Sequence, residues 1–181
     1  AFPPTGITTS FLNLIMALDP SHYRVTIVID PDAIERDRER MERFSRLPSW
    51  VQVVGRVGRM LSDPEERWLS SRLRTSHSLN SQEMWDRYLE SHAREFRRMF
   101  GSAKFDAVVH FDGYSSFWSA TLIGAGSGVG KIIFLHNDMR GEMELKFPYL
   151  RSMFRMYRDY DALVSVSATM SEINRLRLAT P

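Results

Sequence analysis

Three polar clusters follow apolar runs of strand length, and they hold most of the side chains that could do chemistry. Asp112-Gly113-Tyr114 follows the run 105–111, His136-Asn137-Asp138 follows 131–135, and Ser167 follows 162–166. In open parallel sheets, ligands bind beyond the carboxyl ends of the strands. A histidine there can hydrogen-bond ligand hydroxyls or stabilise charge that develops on a leaving group. We therefore predict a binding edge with His136 at its centre.

A second candidate site lies near the start of the chain, where residues 2–15 read as a loop leading into a helix. Pro3, Pro4 and Gly6 break regular structure, and Thr8, Thr9 or Ser10 can each cap the helix. The positive end of a helix attracts anions, but for this stretch taken alone an ordinary capped helix is the better interpretation. Helical spacing predicts a buried face made of Phe11, Leu14, Ile15 and Leu18.

Composition excludes several classes of function. The 181 residues are 43% hydrophobic and 25% charged, which predicts a globular protein. The 24 Lys and Arg residues are nearly balanced by 22 Asp and Glu, so we expect no nucleic-acid-binding face. The chain has no cysteine, which excludes thiol nucleophiles and cysteine metal sites and fits a reducing cytosol. The histidine and carboxylate spacings indicate neither a catalytic triad nor a metal site.

The run Gly124–Lys131 is rich in glycine but does not match a phosphate-binding loop. Position 125 is alanine where that motif requires glycine, and isoleucine follows Lys131 where it requires serine or threonine. The run also closes a predicted helix and opens a predicted strand, which is the reverse of a nucleotide-binding loop. We interpret it as a connector.

Predicted strands alternate with predicted helices along the chain. The predicted strands cover 23–30, 50–54, 105–111, 131–135 and 162–166. The predicted helices cover 33–46, 82–100 and 114–123, and further helices start after Asp63, Pro148 and Ser167. A polar loop is predicted around Arg140, Glu142 and Glu144. Alternation predicts a Rossmann-like α/β/α fold with a mostly parallel sheet, in one domain over 1–181. The helix at residue 10 should follow a strand, so we expect the first strand to be missing and residues 1–8 to be weakly packed.

Four stretches resemble, in order and spacing, retaining GT-B glycosyltransferases of the glycogen-synthase-like superfamily. They are residues 6–14, 111–114, 134–138 and 163–167. The nearest resemblance is to enzymes that make bacterial cell-wall polymers of the teichoic-acid type. It implies two Rossmann-like lobes, of which the second carries a pair of glutamates eight residues apart. No such pair occurs here, so we expect an N-terminal acceptor-binding lobe, truncated and inactive alone.

The resemblance also implies roles for particular residues. His136 would face the donor sugar, while Gly6, Thr8 and Thr9 would lie near a diphosphate or an acceptor phosphate. Asp112, Tyr114 and Ser167 would belong to the same donor- and acceptor-binding site. The family usually has aspartate after this histidine, whereas Asn137 stands here and shifts that contact to Asp138. The donor would be a nucleotide-sugar held mainly by the missing lobe, the acceptor a glycan or polyol phosphate, and no metal or other cofactor is required.

Two other functions remain open at this stage. The chain could be a lobe of a CDP-glycerol-type glycerophosphotransferase, since the acceptor lobe does not define the donor, or a binding module without catalysis. The sequence does not fix the oligomeric state. The pI is near 9.1, and Trp, Phe and Arg occur in segments that we expect at the surface. These features permit peripheral contact with a membrane. We expect a cytoplasmic protein, at the inner face of the cell membrane.

Overall fold

The computed structural model describes residues 2–178, and these form two compact α/β units that meet in sequence after Arg59. The first unit contains, in chain order, α1 (Gly6–Ala17), β1 (Thr26–Ile29), α2 (Asp32–Glu35), α3 (Arg38–Phe44) and β2 (Gln52–Gly55). Its two strands pair in parallel, with Thr26 opposite Gln52 and Ile29 opposite Gly55. Parallel neighbours need a crossover, which α2 and α3 supply. Its core is formed by Phe2, Leu12, Ile29 and Ile34.

The start of the first unit differs from the prediction. Helix α1 begins at Gly6, and the Thr5 side chain caps it by accepting a hydrogen bond from the Thr8 N–H, so the predicted caps lie inside the helix. The early start rotates the buried face: Leu12 and Ile15 are buried, whereas Leu14 is 39% exposed. The prediction of weak packing is wrong for Phe2, which packs against the rings of Phe11 and Phe44. Ala1 lies outside the described residues.

The predicted helix over 33–46 is divided in two. The Asp37 backbone is extended, and its carboxylate accepts a hydrogen bond from the Arg40 N–H, which starts a new helix. Helical spacing alone missed this break because the charged residues continue across it. An aspartate offers its backbone a competing local hydrogen bond, which favours a cap over a helix interior.

The second unit holds a three-stranded sheet and most of the helices. In chain order it contains α4 (Pro64–Ser76), α5 (Gln82–Phe100), β3 (Ala107–His110), α6 (Ser116–Ile123), β4 (Gly130–Leu135), α7 (Met139–Leu145), α8 (Leu150–Met156), a 3-10 turn (Tyr157–Asp159), β5 (Ala162–Ser165) and α9 (Ala168–Leu178). The strand order is β3-β4-β5, and both pairings are parallel. The carboxyl ends of all three strands therefore lie at one edge of this sheet.

The core of the second unit forms two clusters of buried side chains. The first joins α4, α5 and α6 and contains Leu69, Leu73, Leu79, Trp85, Tyr88, Ala120 and Met156. The second lies against β4 and contains Ile133, Leu135, Met139, Leu150, Met153, Tyr157 and Tyr160. Helix α5 carries an apolar stripe, and His92 is buried on it with Nδ1 2.8 Å from the Tyr88 carbonyl oxygen. His92 is therefore a packed histidine of the core.

Local signals predicted most of the helix ends. Asp63 forms a capping box with Glu66 at the start of α4, and Gly101 ends α5 with a positive φ. A further prediction was wrong: the residues around Arg140, Glu142 and Glu144, which were predicted to form a polar loop, form helix α7. The Asp138 carboxylate starts it by accepting a hydrogen bond from the Gly141 N–H at 3.0 Å.

The predicted fold class is confirmed, since helices alternate with open, parallel sheets of Rossmann type. Residues 2–178 do not test the prediction of a further strand before β1. None of the helices within 2–178 has the length and apolar character needed to cross a membrane.

Candidate functional site

The turn after β3 fixes the first part of the strand-end site. Gly113 has a φ of +70°, and a Cβ atom added there would lie 2.1 Å from the Phe134 carbonyl oxygen. Only glycine fits this position, because both the backbone conformation and the contact exclude a side chain. The turn lets the Asp112 carboxylate accept a hydrogen bond from the Tyr114 N–H at 2.8 Å. Asp112 and Tyr114 therefore belong to one rigid turn.

His110, which the sequence did not single out, holds the same carboxylate from inside the sheet. Its ring is buried, with Nε2 2.9 Å from Asp112 Oδ1 and Nδ1 2.9 Å from Ser119 Oγ. A carboxylate can only accept, so His110 carries its proton on Nε2, and Nδ1 of the neutral ring accepts from the Ser119 hydroxyl. The signal available in the sequence was the His-x-Asp spacing at the end of a strand.

The Ser119–His110–Asp112 chain contains the residue types of a hydrolytic triad but cannot act as one. Ser119 is fully buried on α6, so a substrate carbonyl cannot reach its hydroxyl. Nucleophilic catalysis requires an accessible Oγ beside its base. The chain is therefore a support that orients Asp112.

Asp112 is ionised at neutral pH. Partial removal from water acts to raise the pKa of its carboxyl group. A hydrogen bond from His110 and its electrostatic interaction with the carboxylate, together with hydrogen bonds from the N–H groups of Tyr114 and Ser115, outweigh this and lower the pKa from 3.8 to about 2. The side chain of Asp112 is 56% exposed, so its charge is presented to solvent and to any ligand there.

His136 lies at the end of β4 with one nitrogen engaged. Its Nε2 donates to the Phe111 carbonyl oxygen at 2.5 Å, and its ring stacks near Phe134 at 6.1 Å between centroids. Because Nε2 carries the proton, Nδ1 of the neutral ring is a hydrogen-bond acceptor. Nδ1 has no partner among residues 2–178. This half-buried imidazole can accept a hydrogen bond from a ligand hydroxyl.

Asn137 connects the turns that follow β3 and β4. Its side-chain amide donates to the Tyr114 hydroxyl oxygen at 2.9 Å. The sequence placed these residues 23 positions apart in separate clusters, and the parallel register of β3 and β4 brings them together. Asp112, Tyr114, His136 and Asn137 thus form one polar edge, which we call the strand-end site.

Asp138 has a structural role besides any contact with a ligand. It caps α7 and is paired with Arg177 from α9, which also contacts Glu144 at 2.8 Å. Ser167 likewise caps α9, since its hydroxyl accepts from the Met170 N–H at 3.2 Å. Both predicted binding residues are therefore occupied in starting the helices that follow their strands.

Asn174 is a second residue that the sequence did not single out. It is buried on α9, accepts from the Met139 N–H at 3.0 Å and donates to the Asn137 carbonyl oxygen at 3.0 Å. Its amide also lies 3.3 Å from Ser165 Oγ at the end of β5. One side chain thus ties the loop that carries His136 to the last strand and helix.

Tyrosines lie beside the strand-end site and remain neutral. Burial raises the pKa of Tyr114, which a hydrogen bond from Asn137 partly offsets, and burial also raises the pKa of Tyr149. Burial raises the pKa of Tyr157 as well, and its hydroxyl has no hydrogen-bond partner among the described residues. The phenols of Tyr114 and Tyr149 supply hydroxyl groups and flat apolar faces, which suit a ligand with both polar and apolar surfaces.

The predicted residues Gly6, Thr8 and Thr9 belong to the first unit. Gly6 is the exposed first residue of α1, and a Cβ atom there would contact nothing within 4 Å. Thr8 is buried, while the exposed Thr9 donates from Oγ1 to the Thr5 carbonyl oxygen at 3.4 Å. The first turn of α1 contains no acidic residue.

Metal-assisted chemistry has no visible ligand set in residues 2–178, where three or more histidines and carboxylates never gather closely enough to hold an ion. The strand-end site instead offers a carboxylate, an imidazole, an amide and phenols. Such a set can hydrogen-bond several hydroxyl groups at once.

Parallel sheets alternating with helices define this protein as an α/β protein of Rossmann type. The chain belongs to the glycosyl transferase 4-like domain family, whose model matches residues 5–178. It is therefore an N-terminal domain of the GT-B glycosyltransferase superfamily. No curated protein has a significant sequence match to the chain.

Proposed function

We propose that this chain is the acceptor-binding lobe of a nucleotide-sugar-dependent glycosyltransferase. The Asn137–Tyr114 hydrogen bond carries the proposal, because it joins two strand-end turns into one edge beside His136. Family membership supplies the reaction class, and the strand-end site supplies groups that match sugar hydroxyls in number and type.

His136 is the residue we propose to contact the donor sugar. Its Nε2 proton is held by the Phe111 carbonyl, which orients the ring and leaves Nδ1 as an acceptor. A fixed imidazole needs no reorganisation when charge develops in the transition state, which is the property that makes such groups effective. Asn137 and Asp138 would complete this contact, while Asp112 and Tyr114 would hold the acceptor.

Other parts of the proposal rest on the sequence resemblance alone. They are retention of configuration, a second lobe that holds most of the donor, diphosphate near Gly6, Thr8 and Thr9, and an acceptor in bacterial cell-wall or teichoic-acid-type polymer synthesis at the inner face of the cytoplasmic membrane. The proposed single-lobe organisation over 1–181 implies that this chain alone transfers no sugar.

The test is release of nucleotide from a panel of UDP-, GDP- and CDP-linked sugars by the full-length protein, with and without His136→Ala. Loss of one electrostatic contact of this kind lowers turnover by about a hundredfold. His22→Ala is the control, because the His22 side chain is 76% exposed and bonded only within its own turn. Unchanged turnover in His136→Ala would exclude the proposed role, and release of CMP from CDP-glycerol, with glycerol phosphate transferred to an acceptor hydroxyl, would identify a glycerophosphotransferase instead.

A further inference from the structure

We propose that the strand-end site selects an acceptor that is an uncharged sugar and discriminates against a phosphorylated one. This inference rests on the proposed function and narrows it, because it decides between a glycan and a polyol phosphate. Phosphate groups in α/β proteins bind to bare N–H groups where a helix starts. The argument therefore depends on what already occupies those positions in the second unit.

The helix that directly follows each strand of this sheet is closed by an oxygen of the chain itself. Before α6, the Asp112 carboxylate takes the N–H groups of Tyr114 and Ser115, and the Ser115 hydroxyl accepts from the Trp118 N–H at 3.3 Å. Asp138 closes α7 in the same way, and Ser167 closes α9. A phosphate would have to displace these oxygens, two of which carry negative charge.

Three cations near this edge are also engaged in ion pairs. Arg177 is shared between Asp138 and Glu144, and Arg140 lies 2.9 Å from Glu144. Lys146 lies 3.6 Å from Glu142. Binding a phosphate would mean separating one of these pairs, which leaves a carboxylate without its partner.

The charge that remains unmatched at the edge is negative. Among the described carboxylates there, Asp112 alone is paired with a histidine and not with arginine or lysine. Glu142, only 15% exposed, acts electrostatically on both Tyr114 and Tyr149. Like charge brought against such a surface lowers affinity, whereas hydroxyl donors are attracted to ionised acceptors.

The groups that remain available match a neutral polyhydroxylated ring. The Asp112 carboxylate accepts hydrogen bonds, and the Tyr114 hydroxyl can both accept and donate. An uncharged sugar hydroxyl satisfies these acceptors without carrying an anion to the site.

The test is a titration of the full chain, labelled with 15N, with D-glucose, D-galactose and D-mannose and with their 6-phosphates. Shifts of the Asn137 side-chain amide and the Tyr114 N–H report binding at the strand-end site. We expect at least one hexose to bind about tenfold more tightly than its own 6-phosphate. Because salt screens repulsion, added NaCl should strengthen binding of the phosphate and leave that of the hexose unchanged.

Asp112→Asn should reduce the preference for the free hexose several-fold, because it removes the unmatched charge. Asp161→Asn is the matched control: Asp161 accepts from the Lys131 N–H at the opposite end of the same sheet, and asparagine keeps that acceptor. Equal or tighter binding of the phosphates at these resonances would overturn the inference, and so would no shift with any hexose. Hexose binding without turnover of any nucleotide-sugar would instead refute the proposed function and leave this inference standing.

Discussion

The Nε2 atom of His110 lies 2.9 Å from Oδ1 of Asp112, and this pair joins the buried sheet to its polar edge. The histidine is buried, whereas the aspartate side chain is 56% exposed. A carboxylate held by a fixed ring N–H and by two backbone N–H groups has little freedom to rotate. The pair therefore fixes the orientation of a carboxylate at the exposed edge of the sheet.

The first prediction concerns acid stability. Because the folded pKa of Asp112 is about 2 against an ordinary 3.8, its ionised form stabilises the fold above about pH 4, and this contribution is lost as the pH falls toward 2. Because the Asp112 side chain is exposed to solvent, its contribution to the free energy of unfolding is limited to about 1 kcal/mol. Asp112→Asn should therefore flatten the pH dependence of unfolding between pH 4 and 2, measured by urea denaturation. An unchanged slope would show that the pair adds no stability.

The second prediction concerns His92. Burial is the largest effect on its pKa, which falls from 6.5 to about 4 despite a hydrogen bond to Tyr88 and the nearby charges of Glu95 and Glu66. The unfolded chain binds a proton that the folded chain excludes, so stability is full above about pH 6.5 and declines as the pH falls toward 4. The free energy of unfolding should fall by about 3 kcal/mol over this pH range.

His92→Gln keeps a side-chain N–H for the Tyr88 carbonyl but cannot titrate. We expect the free energy of unfolding to fall less between pH 6.5 and 4 in this variant than in the wild type, by about 3 kcal/mol. Urea unfolding at several pH values measures this difference. His22→Gln, at a histidine whose side chain is 76% exposed, should keep the wild-type slope. Equal slopes for His92→Gln and the wild type would show that His92 is protonated in the folded protein.

The third prediction tests the turn at Gly113. Alanine there would place a Cβ atom 2.1 Å from the Phe134 carbonyl oxygen, at a φ of +70°. We expect Gly113→Ala to lower the free energy of unfolding by about 3 kcal/mol or more, because strain in φ adds to the clash. Gly126→Ala isolates the cost of the positive φ angle, since Gly126 has a φ of +90° and no atom lies near the added Cβ. It should cost about 1 kcal/mol, and equal losses for the two variants would contradict the close contact.

The sequence predicted the elements whose signals are local. Helix α5 was predicted over 82–100, its observed bounds, and the structure shows why the local signal was strong: Ser81 caps the helix, an apolar stripe runs along it, and Gly101 ends it. The errors arose where one side chain redirected the backbone, as Thr5, Asp37 and Asp138 do by starting a helix earlier or at a different point. Propensity and periodicity average over many residues and do not detect such single caps.

The site was predictable only in part. The end of each strand identified Asp112, His136 and Asn137, because the carboxyl edge of a parallel sheet follows from strand order alone. His110 and Asn174 were missed because their roles depend on contacts across the fold, to Ser119 and to Met139. Such support lies in helices and strand interiors, where the residue types look ordinary.

The last prediction concerns Asn174, which ties helix α9 to the loop that carries His136. Asn174→Ala leaves the Met139 N–H and the Asn137 carbonyl without their partner in the buried interior. We expect a loss of about 3 kcal/mol in urea unfolding, because each unsatisfied buried group costs about 1–3 kcal/mol.

Asn174→Asp separates the two halves of this interaction. Aspartate keeps the oxygen that accepts from Met139 but cannot donate to Asn137, so the loop after β4 should be released on one side only. In NMR spectra the imidazole resonances of His136 should shift in both variants, and more in Asn174→Ala. Asn80→Ala, at an exposed position between α4 and α5, should change neither stability nor these resonances. Unmoved His136 resonances in Asn174→Ala would show that the loop is held by the sheet alone.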